Sequence, residues 1–149
     1  MVLVLQLMRM RLNLYCKWQV LTGVPFIIFI KLYLRPLFRS YEVFGFMLGV
    51  APNLIGAYLL IFSSYLVLKK RQFLFDKNVL RYQCFLFFTL LTCNEYLQKF
   101  PVFRRTFDYW DILFSVVGIA IGYFVFNKLH AMEQRMVIKQ SIIIASHQE

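Results

Sequence analysis

Four stretches of the chain run without a charged residue: Trp18–Ile30, Val43–Leu68, Tyr82–Asn94 and Ile112–Asn127, of 13, 26, 13 and 16 residues. A helix that crosses a bilayer needs about 20 predominantly apolar residues at 1.5 Å of rise each. The second stretch suffices alone. The other three reach that length by recruiting their flanks, with Lys17 and Lys31 snorkelling around the first. The pattern predicts helices over 17–35, 43–68, 79–98 and 108–128, an all-α membrane protein built as a four-transmembrane-helix bundle. Pro25 and Pro52 fall inside two of these helices and are expected to kink them. Residues 1–16 read as an N-terminal interfacial leader rather than a signal peptide, because Arg9, Arg11 and Lys17 follow the apolar stretch and no small-residue cleavage site appears. Beyond the fourth span, Leu129, Met132 and Met136 recur at helical spacing with Glu133, Arg135 and Lys139 mostly on other faces. Nothing stops that helix after Gly122, so residues 129–149 are expected to form a cytoplasmic amphipathic tail, helical at least to about Lys139.

Composition sharpens the class. Of the 149 residues, 60% are hydrophobic, 19% aromatic and 16% charged, against roughly 45–50% apolar and about 25% charged in soluble domains. A chain this short has too little interior for so much Phe, Ile and Leu, and the excess must face lipid. A soluble enzyme, a secreted disulfide scaffold and a disordered tail are excluded. The net charge of +10 sits between the apolar runs, with the aromatics inside them, which argues for membrane topology and against nucleic acid. Eleven Lys and Arg fall in the N-terminal segment, the connection after the second span and the tail. Six fall in the other two connections. The richer side is expected to be cytoplasmic, so both termini face inward.

Cys16, Cys84 and Cys93 form an odd set, and the last two would lie about 13 Å apart along one helix, too far to bridge. With His130 and His147 both near the C-terminus, no metal site and no cofactor are expected. Five of the six glycines lie on two helical stripes: Gly45, Gly49 and Gly56 in the second span, Gly118 and Gly122 in the fourth. Lipid supplies no hydrophobic drive between helices, so small residues that admit a close backbone neighbour are a main packing device. The second and fourth spans are expected to pack on each other through them.

The polar residues concentrate in Asn94–Asp111, NEYLQKFPVFRRTFDYWD. Glu95 and Gln98 share a face of the third helix, and Asp108 and Asp111 share a face at the start of the fourth. That stripe continues through Ser115 to Gly118 and Gly122. Asp108 also suits a helix cap. Carboxylates at this depth usually pair, and Arg104 and Arg105 in the connecting turn are the candidate partners. The candidate pocket is therefore Glu95, Gln98, Arg104, Arg105, Asp108, Asp111 and Ser115, with no catalytic residue assigned.

At these residues the chain resembles the VanZ family of small bacterial membrane proteins. That family carries Glu-x-x-Gln at the end of one membrane helix, a turn with Arg and Asp, then a helix opening with Asp and bearing spaced glycines; here these are Glu95, Gln98, Arg105, Asp108, Asp111, Gly118 and Gly122. Ser115 stands where family members commonly have Asn. The resemblance extends more weakly to Asn53–Phe62 in the second span. It implies an envelope protein of the bacterial inner membrane, multi-pass, with a glycopeptide-resistance-like role and no defined reaction. The expected function is an outward-facing pocket that binds or handles a polar envelope component, lipid-linked or peptidoglycan-related, with membrane lipids as partners. The alternative is an accessory structural subunit, with other membrane protein subunits as partners. An enzyme using Glu95 or Asp111 as acid or base is a further, less favoured reading, because no nucleophile elbow, phosphate loop or HExxH motif is present.

Overall fold

The computed structural model describes residues 2–38, 40–68, 77–98 and 108–146. Every regular element among them is helical. Helix α1 (Val2–Phe29) runs straight into a π-turn (Ile30–Leu34) and one closing turn (Arg35–Leu37). The other helices are α2 (Glu42–Leu68), α3 (Lys77–Leu97) and α4 (Tyr109–Ser146). The apolar patterning supplies the reason: where water is excluded, a helix satisfies its backbone groups within one segment. In the π-turn the Arg35 N–H reaches back to the Ile30 carbonyl. The widened turn falls just before Pro36, which has no N–H to give and whose ring would press on the preceding turn.

The segment expected as a leader is helical from Val2 and continuous with the first span. Its later residues are core: Leu12 and Cys16 are buried. At the other end, α4 runs to Ser146, past the Lys139 expected from the heptad-like spacing. Three helical stretches, Leu12–Leu37, Glu42–Leu68 and Tyr109–Met136, are long and apolar enough to cross a membrane. The third expected span coincides with α3 but falls short of that apolarity, because Lys77, Asn78, Arg81, Gln83, Asn94 and Glu95 lie within its 21 residues.

Contacts fix the directions. Tyr58 Oη donates to Gln19 Oε1 (3.4 Å) and Phe62 meets Tyr15, so α1 and α2 are antiparallel. Phe46 meets Trp110 while Phe62 meets Phe126, so α2 and α4 run parallel. Arg81 hydrogen-bonds Tyr123, and the opposite end of α3 meets the start of α4, so that pair is antiparallel. The bundle goes up, down, up, down, and the described chain ends share one end of it.

The core occupies that same end. Phe62, fully buried, packs among Tyr15, Tyr58 and Phe126 with ring centroids 4.8–6.3 Å apart. Leu12, Cys16, Ile61, Tyr65 and Leu80 complete it. Outward, α1 exposes Leu21, Phe26 and Ile28, α3 exposes Phe85, Leu86 and Leu90, and α4 exposes Ile121 and Phe124.

Helices α2 and α4 form the most extensive pair in the bundle. A Cβ at Gly118 would collide with the Leu54 carbonyl oxygen, and one at Gly122 would lie 3.0 Å from the Tyr58 carbonyl oxygen. The α4 glycines are thus true contact points for the α2 backbone. Gly49 and Gly56 of α2 are not. Gly49 and Gly56 face open space, and Gly45 and Gly49 line a cavity. The expected two-sided seam is one-sided, because the backbone of α2 itself fills the notch that Gly118 and Gly122 leave. Gly23, outside both stripes, makes a third close approach: a Cβ there would lie 2.5 Å from Leu59 Cδ1.

Candidate functional site

All four helices contribute to a cavity of about 690 Å³ at the end of the bundle opposite the aromatic core. Helix α1 brings Lys31 from the π-turn and Arg35 from its end. Helix α2 brings Gly45, Gly49, Pro52 and Asn53. Helix α3 ends there with Asn94, Glu95 and Gln98, and α4 begins there with Asp108 and Asp111. The up-down topology is what gathers them: two helices end and two begin at this level.

The cavity reaches well into the bundle. Asn53 lies eleven residues into α2, roughly 16 Å along the axis at 1.5 Å per residue. Its side chain lies beside Asp111, which sets the start of α4 level with this part of α2. The absence of side chains at Gly45 and Gly49 leaves the intervening volume open. Glu95, only 6% exposed, lies on the wall formed by α3. Asp108 has a structural task as well: its Oδ1 accepts the Trp110 N–H at 2.9 Å, the bond of an N-cap residue.

Lys31 and Arg35 act on Asp111 as opposite charges, and Asp108 acts on it as a like charge. Among the described residues no ion pair closes Lys31 or Arg35 onto Asp108 or Asp111. These four charges, of both signs, therefore line the same space without meeting at contact distance. A second hollow, about 640 Å³, adjoins the first and shares Lys31, Arg35 and Gly45 with it, continuing to Pro36 and Glu42.

Of the residues expected to form the pocket, Glu95, Gln98, Asp108 and Asp111 line the cavity together. Ser115 does not. Its hydroxyl donates to the Asp111 carbonyl at 2.8 Å, back along its own helix, and the side chain is buried one turn below the cavity. In a helix, a serine that satisfies itself on the carbonyl four residues earlier has no need of a pocket partner. Arg104 and Arg105 lie outside the described residues.

Lys31, Arg35, Asn53 and Asn94 also line the cavity, although sequence reasoning leaves them out of the pocket. Lys31 and Arg35 read as topology charges, although their spacing of four already puts them on one helix face at the level of Asp111. Asn53 is an amide in the middle of a 26-residue charge-free run, and a polar group at such depth is a functional signal in its own right. Chemically, the arrangement offers carboxylate and amide acceptors on one side and a guanidinium and an ammonium on the other. Among the described residues no three or more His, Cys, Asp or Glu side chains are grouped to hold a metal. Cys16 and His130 belong to the other end, the imidazole stacked on Phe126 at 6.2 Å. No family model, curated protein or solved structure matches the chain.

Proposed function

We propose that this chain is a VanZ-like, multi-pass protein of the bacterial inner membrane whose cavity opens outward and binds a polar, lipid-linked or peptidoglycan-related envelope component. One observation carries the reading: a cavity at one end of an apolar bundle, lined by Glu95, Asp108 and Asp111 together with Lys31 and Arg35. Ionisable groups within membrane segments are expensive to retain and commonly mark a ligand or transport pathway. Helix α3 is the fourth crossing in this reading, supported by its outward Phe85, Leu86 and Leu90. Both termini then lie in the cytoplasm, on the side with eleven Lys and Arg, and the cavity faces out. The long α4 carries its last turns beyond the bilayer as the cytoplasmic tail.

The test is native mass spectrometry of the protein extracted from bacterial membranes in mild detergent. A polar envelope molecule should co-purify with the wild-type chain. The double variant Asp111→Asn, Glu95→Gln should lose it while keeping its helix content and thermal unfolding. Retention of the same molecule by the double variant refutes the pocket.

A second reading, an accessory subunit of a larger membrane complex, is favoured by the open space outside Gly56, where a partner helix has room to approach α2. A fixed-ratio partner on size analysis after gentle extraction would select it.

A further inference from the structure

The separation of charges in the cavity narrows the ligand, on the reading that the cavity is a binding site. Among the described residues its cations are Lys31, within the π-turn that follows α1, and Arg35, which closes that turn. The described carboxylates in its lining, Glu95, Asp108 and Asp111, come from α3 and α4, and Glu42 of α2 borders only the adjoining hollow. Had the site evolved for an anion alone, Asp108 and Asp111 in its wall would repel it. Had it evolved for a cation alone, a guanidinium and an ammonium would do the same. A structural ion-pair network would close the two sets onto each other, yet among the described residues no ion pair joins Lys31 or Arg35 to Asp108 or Asp111, although both cations act on Asp111 by charge.

We infer that the cavity binds a zwitterionic group in which a primary ammonium is joined to a phosphate, the phosphate held between Lys31 and Arg35 and the ammonium on the Asp111–Asn94 side. A guanidinium fork and a lysine point charge are the two side chains that suit phosphate oxygens. An ammonium with N–H donors suits carboxylate and amide oxygens, here Asp111 and Asn94. Lys31 and Arg35 also border the adjoining hollow of about 640 Å³, so a phosphate at that junction leaves room for whatever its second ester carries. The same chemistry is found in an ethanolamine phospholipid and in a free phosphoethanolamine compound.

Calorimetric titration of the full chain in detergent separates the parts. The probes are glycerophosphoethanolamine, inorganic phosphate and ethanolamine. The joined molecule should bind at least about tenfold more tightly than either fragment, the ratio expected when a second charged contact contributes about 1.4 kcal/mol. Asp111→Asn should erase that advantage and leave phosphate binding within about twofold, and Arg35→Gln should weaken phosphate binding about tenfold or more. Nanodiscs of phosphatidylethanolamine against phosphatidylglycerol identify the source: selective retention of the ethanolamine lipid on the protein assigns the site to lipid, and binding of the free compound alone assigns it to a soluble ligand. A fragment that binds as tightly as the joined molecule overturns the zwitterion and leaves the pocket standing. No binding by any probe or lipid overturns the zwitterion as well, and loss of every co-purifying envelope molecule would be needed to remove the pocket with it.

Discussion

The two ends of this bundle are made from the same four helices and do opposite things with them. At the end that holds the described chain ends, Phe62, Phe126, Tyr65 and Ile61 interdigitate, and polar groups such as the Ser64 and Gln83 side chains satisfy one another between helices (3.4 Å). At the other end Gly45 and Gly49 leave volume unfilled, and among the described residues five ionisable side chains surround it. Glycine illustrates the difference. Gly118 and Gly122 meet the α2 backbone and make contact, whereas Gly49 meets nothing within 4 Å and helps make a cavity. A glycine stripe on a membrane helix is thus a statement about space, and its neighbour decides whether the space is closed or kept.

The comparison breaks most sharply at the seam. Gly118→Leu should abolish the folded bundle, because its side chain would have to displace the Leu54 carbonyl; loss of cooperative thermal unfolding is the readout, and Gly49→Ala should leave the transition within about 0.5 kcal/mol. Next comes Phe62→Ala, expected to cost about 2–3 kcal/mol. That is below the ~3–5 kcal/mol of a soluble core, because the unfolded reference in lipid is already out of water and only packing is lost. Reversible unfolding in mixed micelles measures it. Asp108→Ala removes the N-cap of α4 and should cost about 1 kcal/mol by the same assay. Smallest is Ser115→Ala, within about 0.5 kcal/mol and without effect on ligand retention, since its bond is only to its own helix. If Ser115→Ala lost the ligand instead, the cavity would extend a turn deeper than its lining shows.

Helix positions were largely legible in advance. The charge-free windows anticipate α2 to within a residue at its start, and the Leu129–Met132–Met136 spacing anticipates the run of α4 beyond the apolar stretch. Four of the seven expected pocket residues do meet in one cavity, because Glu95 with Gln98 and Asp108 with Asp111 are each one helical turn apart and need only their helices to be adjacent. The cationic wall was less legible. Lys31 and Arg35 lie 60 residues or more before Glu95 in the chain, and no local spacing relates positions so far apart.

What the sequence determined alone was whatever depends on near neighbours: helical segments from apolar runs of bilayer length, an apolar exterior from a composition too rich for one interior, and the face each acidic pair shares. The tertiary structure decided what depends on who stands opposite. It set α4 parallel to α2, so that Gly118 and Gly122 found a backbone while Gly49 and Gly56 did not. It also brought the π-turn of α1 level with the start of α4, so that Lys31 and Arg35 became the counter-charges of Asp111. A residue's periodicity is fixed by 1.5 Å of rise and 3.6 residues per turn, but the register of one helix against another is set by side chains and backbones that touch only once the bundle has formed.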